Sequence, residues 1–250
     1  MTWDRSPGYS FYGKEPCFTP APRNLDELRG QIDQLVLHYD VCGLSKICYQ
    51  VLLERKLSVH FLLDVDGTLY QCLDLADRAW HATKSNARSI GVEIANLGAY
   101  PPGKGAILQE WYGEDVDGPV LSPPARVGDS GVRTPGFVAR PARWQKVAGE
   151  TQGEPLEQYD FTQEQYAALE KLAAGLARIF PRLVPEAPRA ADGSVANAVL
   201  GDEAWTDFHG ILGHYHVQQN KTDPGPAFDW EPFLVRVREE LAQSAPAGTP

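Results

Sequence analysis

The sequence predicts a single α/β domain in which a central mixed β-sheet is flanked by helices. Three observations lead there. Short β-rich apolar runs alternate with helix-period segments along the chain. The 250 residues suffice for one full hydrophobic core with elaborated loops. No internal repeat and no clear linker divides them, and 43% hydrophobic with 22% charged residues is an ordinary globular composition.

Residues 1–33 form an N-terminal surface segment, rich in proline and aromatics to about Leu25 and expected to wrap the domain. QLVLHY (Gln34 to Tyr39) has the apolar character of a buried central strand. Ser45 to Lys56 places Ile47, Val51 and Leu52 at a spacing that suits a helix packed on a sheet. VHFLLDVDGTLYQCL reads as two strands about Asp66-Gly67, a pair that supplies the positive φ angles of a tight hairpin. SIGVEIAN (Ser89 to Asn96) is a further strand, with Ile90, Val92 and Ile94 on one face and Glu93 on the other. From Tyr100 to about Asp160 the chain changes character. Eight of its twenty prolines fall there, beside exposed-looking Trp111, Tyr112, Phe137 and Trp144, so a long irregular loop insertion is predicted.

A helix then begins near Phe161. Thr162 and Gln165 form a capping box, Tyr166, Leu169, Leu172, Leu176 and Ile179 make the apolar stripe, and Pro181 lies beyond the end. A polar loop runs to about Gly201, ILGHYHV reads as a strand, and Trp230 to Gln243 closes the domain as an amphipathic helix. Residues 244–250 are expected to be a flexible tail.

A net charge of -10 argues against nucleic-acid binding, which needs basic stripes. No apolar run approaches the roughly 20 residues of a membrane span. MTWDRSPGYSFYG lacks the basic start and apolar stretch of a secretory signal, so a cytoplasmic monomer is expected, with export by another route left open. Cys17, Cys42, Cys48 and Cys72 include no CxxC pair, which disfavours a structural zinc knuckle. In the cytosol they stay thiols; on export Cys42 and Cys48 could close a small disulfide.

The six histidines lie in three places: His38; His60 and His81; and His209, His214 and His216. Taken singly, each is more often structural than a ligand. His38 ends an apolar strand, His214 does the same in ILGHYH, and Asp223 follows in KTDPGP. Two imidazoles and a carboxylate on separate rigid elements are a common catalytic zinc set with a fourth position for water, which the spacing permits without showing it. His216, on the same strand face as His214, is the rival ligand, and His209 ranks below it.

LVLHYD, SVHFLLDVDGTLYQCLDLADRAWHA, NARSIGVEIAN and GHYHVQQNKTDPGPAFDW, in that order, cover most of residues 34–96 and 205–242. Together they resemble the type-2 N-acetylmuramoyl-L-alanine amidases, whose fold is shared with peptidoglycan recognition proteins and a phage lysozyme-type amidase. The resemblance implies one zinc ion on His38, His214 and Asp223, with Asp223 where peptidoglycan recognition proteins usually carry cysteine. It places the catalytic glutamate on Glu93 and the catalytic lysine on Lys221. Members that use a tyrosine carry it just before the histidine of an HF motif, where this chain has Val59, so the proton transfers are left to Glu93.

The implied reaction is hydrolysis of the amide between N-acetylmuramic acid and L-alanine, in peptidoglycan or its muropeptide fragments. Glu93 takes a proton from water and passes it to the departing nitrogen, while Lys221 steadies the oxyanion. Trp80-His81 resembles a WHA motif at the sugar end of the groove. Asn96 is expected to contact the peptide, Arg88 to meet a stem-peptide carboxylate, and His60 to support the zinc shell or the core. Residues 100–160 are expected to wall the groove and set substrate size. Two other readings remain: a peptidoglycan-binding module that does not cut, which would be expected to lack a ligand, and a zinc hydrolase of another amide.

Overall fold

The computed structural model describes residues 19–20 and 24–243; the surface wrap expected of residues 1–18 and 21–23 and the tail expected over 244–250 lie outside the described residues. A two-residue strand, β1 (Thr19–Pro20), precedes helix α1 (Leu25–Gln31), whose first turn is capped by the Asn24 side chain accepting from the Asp26 amide. Leu28 and Ile32 are buried, so the end of the predicted surface segment belongs to the core. Next come β2 (Gln34–Tyr39), α2 (Ser45–Arg55), β3 (Phe61–Leu63), β4 (Leu69–Gln71), β5 (Asp77–Arg78) and β6 (Ser89–Ile94). Residues 100–160 hold α3 (Ala106–Trp111) and two hairpins, β7 (Tyr112–Asp115) with β8 (Gly118–Leu121) and β9 (Val147–Thr151) with β10 (Glu154–Gln158). The chain ends in α4 (Gln163–Ile179), α5 (Asp202–Asp207), β11 (Gly210–Gly213), the single turn α6 (His214–Val217) and α7 (Trp230–Gln243).

The central sheet has the order β11-β2-β6-β3-β4, parallel except for the antiparallel edge strand β4. Side chains alternate between its faces. Leu35, Leu37, Ile90, Val92 and Leu63 pack with Leu169, Ala173 and Leu176 of α4 and Phe233, Leu234 and Val237 of α7. Val36 and Leu212 point the other way, against Ala82 and Val217, and Leu62 meets Cys48 and Leu52 of α2. The buried stripe of α2 is thus Ser45, Cys48 and Leu52; Ile47 and Val51, predicted to face the sheet, are only half-buried.

Further predictions need correction. The β3–β4 turn takes one positive φ, at Gly67 (78°), while Asp66 caps it by accepting from the Thr68 amide. The 100–160 segment holds a helix and two hairpins, and the irregular loop predicted for all of it is confined largely to residues 122–146. Its prolines misled because each strand of a two-stranded hairpin is an edge strand, where proline is tolerated, as at Pro119 and Pro155. Trp111, expected exposed, is buried with Leu44, Val65, Leu97 and Leu108 in a second cluster. Finally, ILGHYHV is the last three residues of the four-residue strand β11 followed by a helical turn, and α5 went unseen in the polar loop before it.

Candidate metal centre

β2 and β6 are parallel neighbours in which His38 stands opposite Glu93. Both side chains leave the sheet on the face opposite the α4–α7 layer, at the carboxyl ends of their strands, where open α/β sheets generally bind ligands. β11 flanks β2 on its other side with Gly213 opposite Leu37, so His214, the next residue, arrives beside His38. Asp223 reaches the same point from the turn after α6, its carbonyl accepting from the Tyr215 amide.

His38, His214 and Asp223 are 2%, 4% and 7% exposed. His38 Nδ1 lies 3.0 Å from His214 Nδ1 and 2.9 Å from Asp223 Oδ2, and the third edge of the triangle is 3.0 Å. Ligand atoms of a tetrahedral zinc site, each about 2.0–2.1 Å from the ion, stand roughly 3.3 Å apart, so these residues fit zinc after a shift of a few tenths of an ångström. The donor chemistry also fits. Each ring has its outer nitrogen in a hydrogen bond, His38 Nε2 with His81 Nδ1 at 2.9 Å and His214 Nε2 with Gln218 Oε1 at 2.6 Å. With both outer nitrogens donating, two Nδ1 lone pairs and a carboxylate oxygen converge, an arrangement only a cation relieves. Burial, and then the neighbouring His214, lowers the His38 pKa to about 4, so the ring is in its neutral, ligating form at pH 7. Burial opposes ionisation of Asp223, yet the two histidines hold its carboxyl well below the usual range.

Glu93 is half-buried, and its Oε2 has no hydrogen-bond partner among the described residues. Burial first, then the Asp223 and Asp40 carboxylates, push its pKa well above the ordinary glutamate value, with Lys221 and Arg55 pulling the other way. Lys221 follows α6 in a turn, and its charge is felt at both His38 and Glu93.

The β9–β10 hairpin holds the ligand-bearing turns in place. Gln152, at its tip, donates from Nε2 to the carbonyls of Tyr215 and Gln218 at 2.9 and 3.0 Å, and to that of Lys221 at 3.3 Å. Gln158, fully buried, donates to the Pro224 carbonyl and the Asn96 amide oxygen and accepts from the Ala227 amide. A Cβ at Gly225 would sit 2.1 Å from Gln158 Oε1, so glycine is needed there for close approach as well as for its φ of 86°. Gln158→Ala is expected to strand two buried polar groups, the Pro224 carbonyl and the Ala227 amide, and lower stability by about 2–4 kcal/mol. Chemical denaturation would check this, together with a weaker zinc affinity.

Other predicted site residues lie elsewhere or act differently. Arg88 is not available to substrate. It makes a two-pronged pair with buried Asp33 at 2.6 and 2.8 Å and donates to the Thr206 and Phe208 carbonyls. Arg182 and His209 also sit on Asp33, which disposes of His209 as a ligand. Arg88→Ala is expected to cost roughly 2–3 kcal/mol of stability by chemical denaturation, less than an isolated buried pair because those two partners remain. Asn96 is buried and spent on the Tyr159 carbonyl, the Gly98 amide and Gln158. His216 turns inward, accepting from the Gly213 amide and bonding to the Ala196 carbonyl, because the helical turn rotates it off the face of His214. His60 bridges the Gly91 amide and the Asp77 carbonyl, a supporting role. His81 contacts His38 rather than facing a groove, while Trp80 beside it is 47% exposed. Gln218, Gln152 and Gln158 were missed. Only Gln218 left a signal, as the i+4 neighbour of His214 had HYHVQ been read as helix. Cys42, Cys48 and Cys72 form no disulfide among the described residues.

Among solved structures, the chain is similar to the N-acetylmuramyl-L-alanine amidase AmiD from E. coli in complex with anhydro-N-acetylmuramic acid-L-Ala-D-gamma-Glu-L-Lys. Identity is 17% over 82% of this chain and 57% of that one, with a TM-score of 0.44, so the chain spans little more than half of AmiD's length. It is also similar to an AmpD derivative (18%, 89% and 92% covered, TM-score 0.40) and to Drosophila peptidoglycan recognition protein SA (14%, 86% and 82%, TM-score 0.39). No curated protein matches in sequence. At these scores the structural likenesses add no argument of their own. The family model does: it matches residues 28–226, a span that carries His38, Glu93, His214 and Asp223, and the chain belongs to the N-acetylmuramoyl-L-alanine amidase family.

Proposed function

We propose that the protein is a zinc-dependent hydrolase that cuts the amide between N-acetylmuramic acid and L-alanine in peptidoglycan or its soluble fragments. The observation that carries this is the convergence of His38 Nδ1, His214 Nδ1 and Asp223 Oδ2 beside Glu93, whose Oε2 has no hydrogen-bond partner among the described residues. Zinc bound there supplies Lewis acidity, bringing a water's pKa from 15.7 toward about 7. The chain supplies the rest. Glu93 takes the proton of the attacking water and returns it to the departing alanine nitrogen. Its raised pKa suits it to hold that proton between the two transfers. Lys221 brings positive charge to the developing oxyanion. Trp80 offers an exposed aromatic face to a pyranose ring. Among the described residues no helix is long and apolar enough to cross a membrane.

The test is incubation with intact sacculi and, separately, with soluble muropeptides, followed by mass spectrometry. Release of stem peptides with a free L-alanine amine is expected, lost on chelation and in His214→Ala. The faster substrate separates wall lysis from turnover of fragments. Cleavage of neither, with zinc demonstrably bound, would overturn the assigned substrate and leave a binding module or another amide.

A further inference from the structure

Both ring nitrogens of His81 are engaged inside the protein. Nδ1 lies 2.9 Å from His38 Nε2, and Nε2 lies 3.2 Å from Ser89 Oγ. Ser89 has one hydroxyl proton and commits it to the Ser85 carbonyl at 2.7 Å. A carbonyl can only accept, so the direction of the whole chain follows from its far end. Ser89 meets His81 with a lone pair; His81 Nε2 carries the hydrogen, and His81 Nδ1 accepts. His38 must then hold its own proton on Nε2, which leaves the Nδ1 lone pair facing His214 and Asp223.

Gly91 fits the same arrangement. Glycine weakens a strand interior unless something approaches its backbone closely. Here a Cβ would lie 2.6 Å from His81 Nδ1, so the imidazole occupies the space a side chain on β6 would need.

We propose that His81 is a positioning residue which, together with Ser89 and Gly91, locks His38 in the tautomer that presents Nδ1 to the metal. This rests on the zinc reading above. Metal-bound histidines generally donate their outer N–H to a carboxylate, a backbone carbonyl or water. Here the acceptor is a second histidine, whose own tautomer has to be fixed, and the serine fixes it. His214 uses the simpler device of the Gln218 amide oxygen, which can only accept.

Two measurements test the proposal: ring-nitrogen NMR on the metal-free protein, and zinc affinity by competition with a fluorescent chelator. In the wild type His38 is expected as the Nε2–H tautomer, and Ser89→Ala is expected to mix the two tautomers. His81→Phe, of similar volume but without nitrogens, should weaken zinc binding about 10–100-fold. His81→Gln, which again offers one acceptor and one donor, should recover much of that loss. Gly91→Ala removes no polar atom, yet it should weaken binding by displacing the ring. A folded His81→Phe protein that binds zinc as tightly as wild type overturns the proposal, and so does an Nδ1–H tautomer at His38 in the wild type. If the wild type binds no zinc, the amidase reading falls, while the NMR spectra still decide whether Ser89 governs His38.

Discussion

Glu93→Gln is expected to lower kcat by about 10²–10⁴-fold while leaving fold and zinc affinity intact. The amide has the carboxylate's shape but cannot shuttle a proton. Glu93 Oε2 has no hydrogen-bond partner among the described residues, so that oxygen loses none on substitution. Neutralising it also relieves the crowding of negative charge with Asp223 and Asp40, so stability should hold or rise. Single-turnover kinetics on a soluble muropeptide, with zinc content measured in parallel, read the effect directly. The pH profile gives a second readout. The base must be ionised to act, so the wild-type acid limb reports Glu93, and that limb should vanish in the variant. A zinc-loaded Glu93→Gln enzyme with wild-type kcat would remove Glu93 from the chemistry.

Asp223→Ala is expected to cost two to three decades of zinc affinity and essentially all activity. Structural zinc sites with four ligands bind with about 10–16 kcal/mol, so one ligand carries roughly a quarter of that. The loss has a thermal readout. Zinc at 100 times its Kd should stabilise the native protein by about 2.7 kcal/mol, roughly 5–10 °C in Tm for a chain of this size. That shift should disappear in Asp223→Ala. Were it to persist, the ion would lie elsewhere. Asp40, Cys42 and Cys48 are the other described group whose ligand atoms gather within 4.8 Å of one another.

Much of this was legible in the sequence wherever one residue pattern has one physical solution. The capping box at Thr162 and Gln165 is formed in both directions, and QLVLHY is the buried central strand its composition demands. The parallel register of β2 and β6 then sets Glu93 beside His38, which the alternation in SIGVEIAN foreshadowed. Legibility failed where one pattern has two solutions. ILGHYHV is equally apolar as seven residues of strand or as three of strand and a turn of helix, and the difference decides whether His216 shares the face of His214. Arg88 and Asn96 are the residue types that bind peptide carboxylates and amides. They are also the types that satisfy buried carboxylates and carbonyls, and their partners, Asp33 and Tyr159, lie 55 and 63 residues away.

The two hairpins of residues 100–160 are not interchangeable cargo, and this decides how the chain can be shortened. Excising 103–153 as one block would remove Gln152 and β9, loosen the turns that bear His214 and Asp223, and register as a metal defect whatever the substrate. The separable part is smaller. The Leu121 amide donates to the Ala139 carbonyl at 2.9 Å, so the ends of the loop between them lie side by side, while Asp129 and Thr134 within it tie it to Lys46 and Asp66. That junction is a natural splice site: a short turn in place of 122–138 keeps both ends where they are, at a loop-closure entropy that changes only slowly with length. A chain trimmed there retains its metal clamp, and only such a chain can reveal whether the excised loop selects substrates by size.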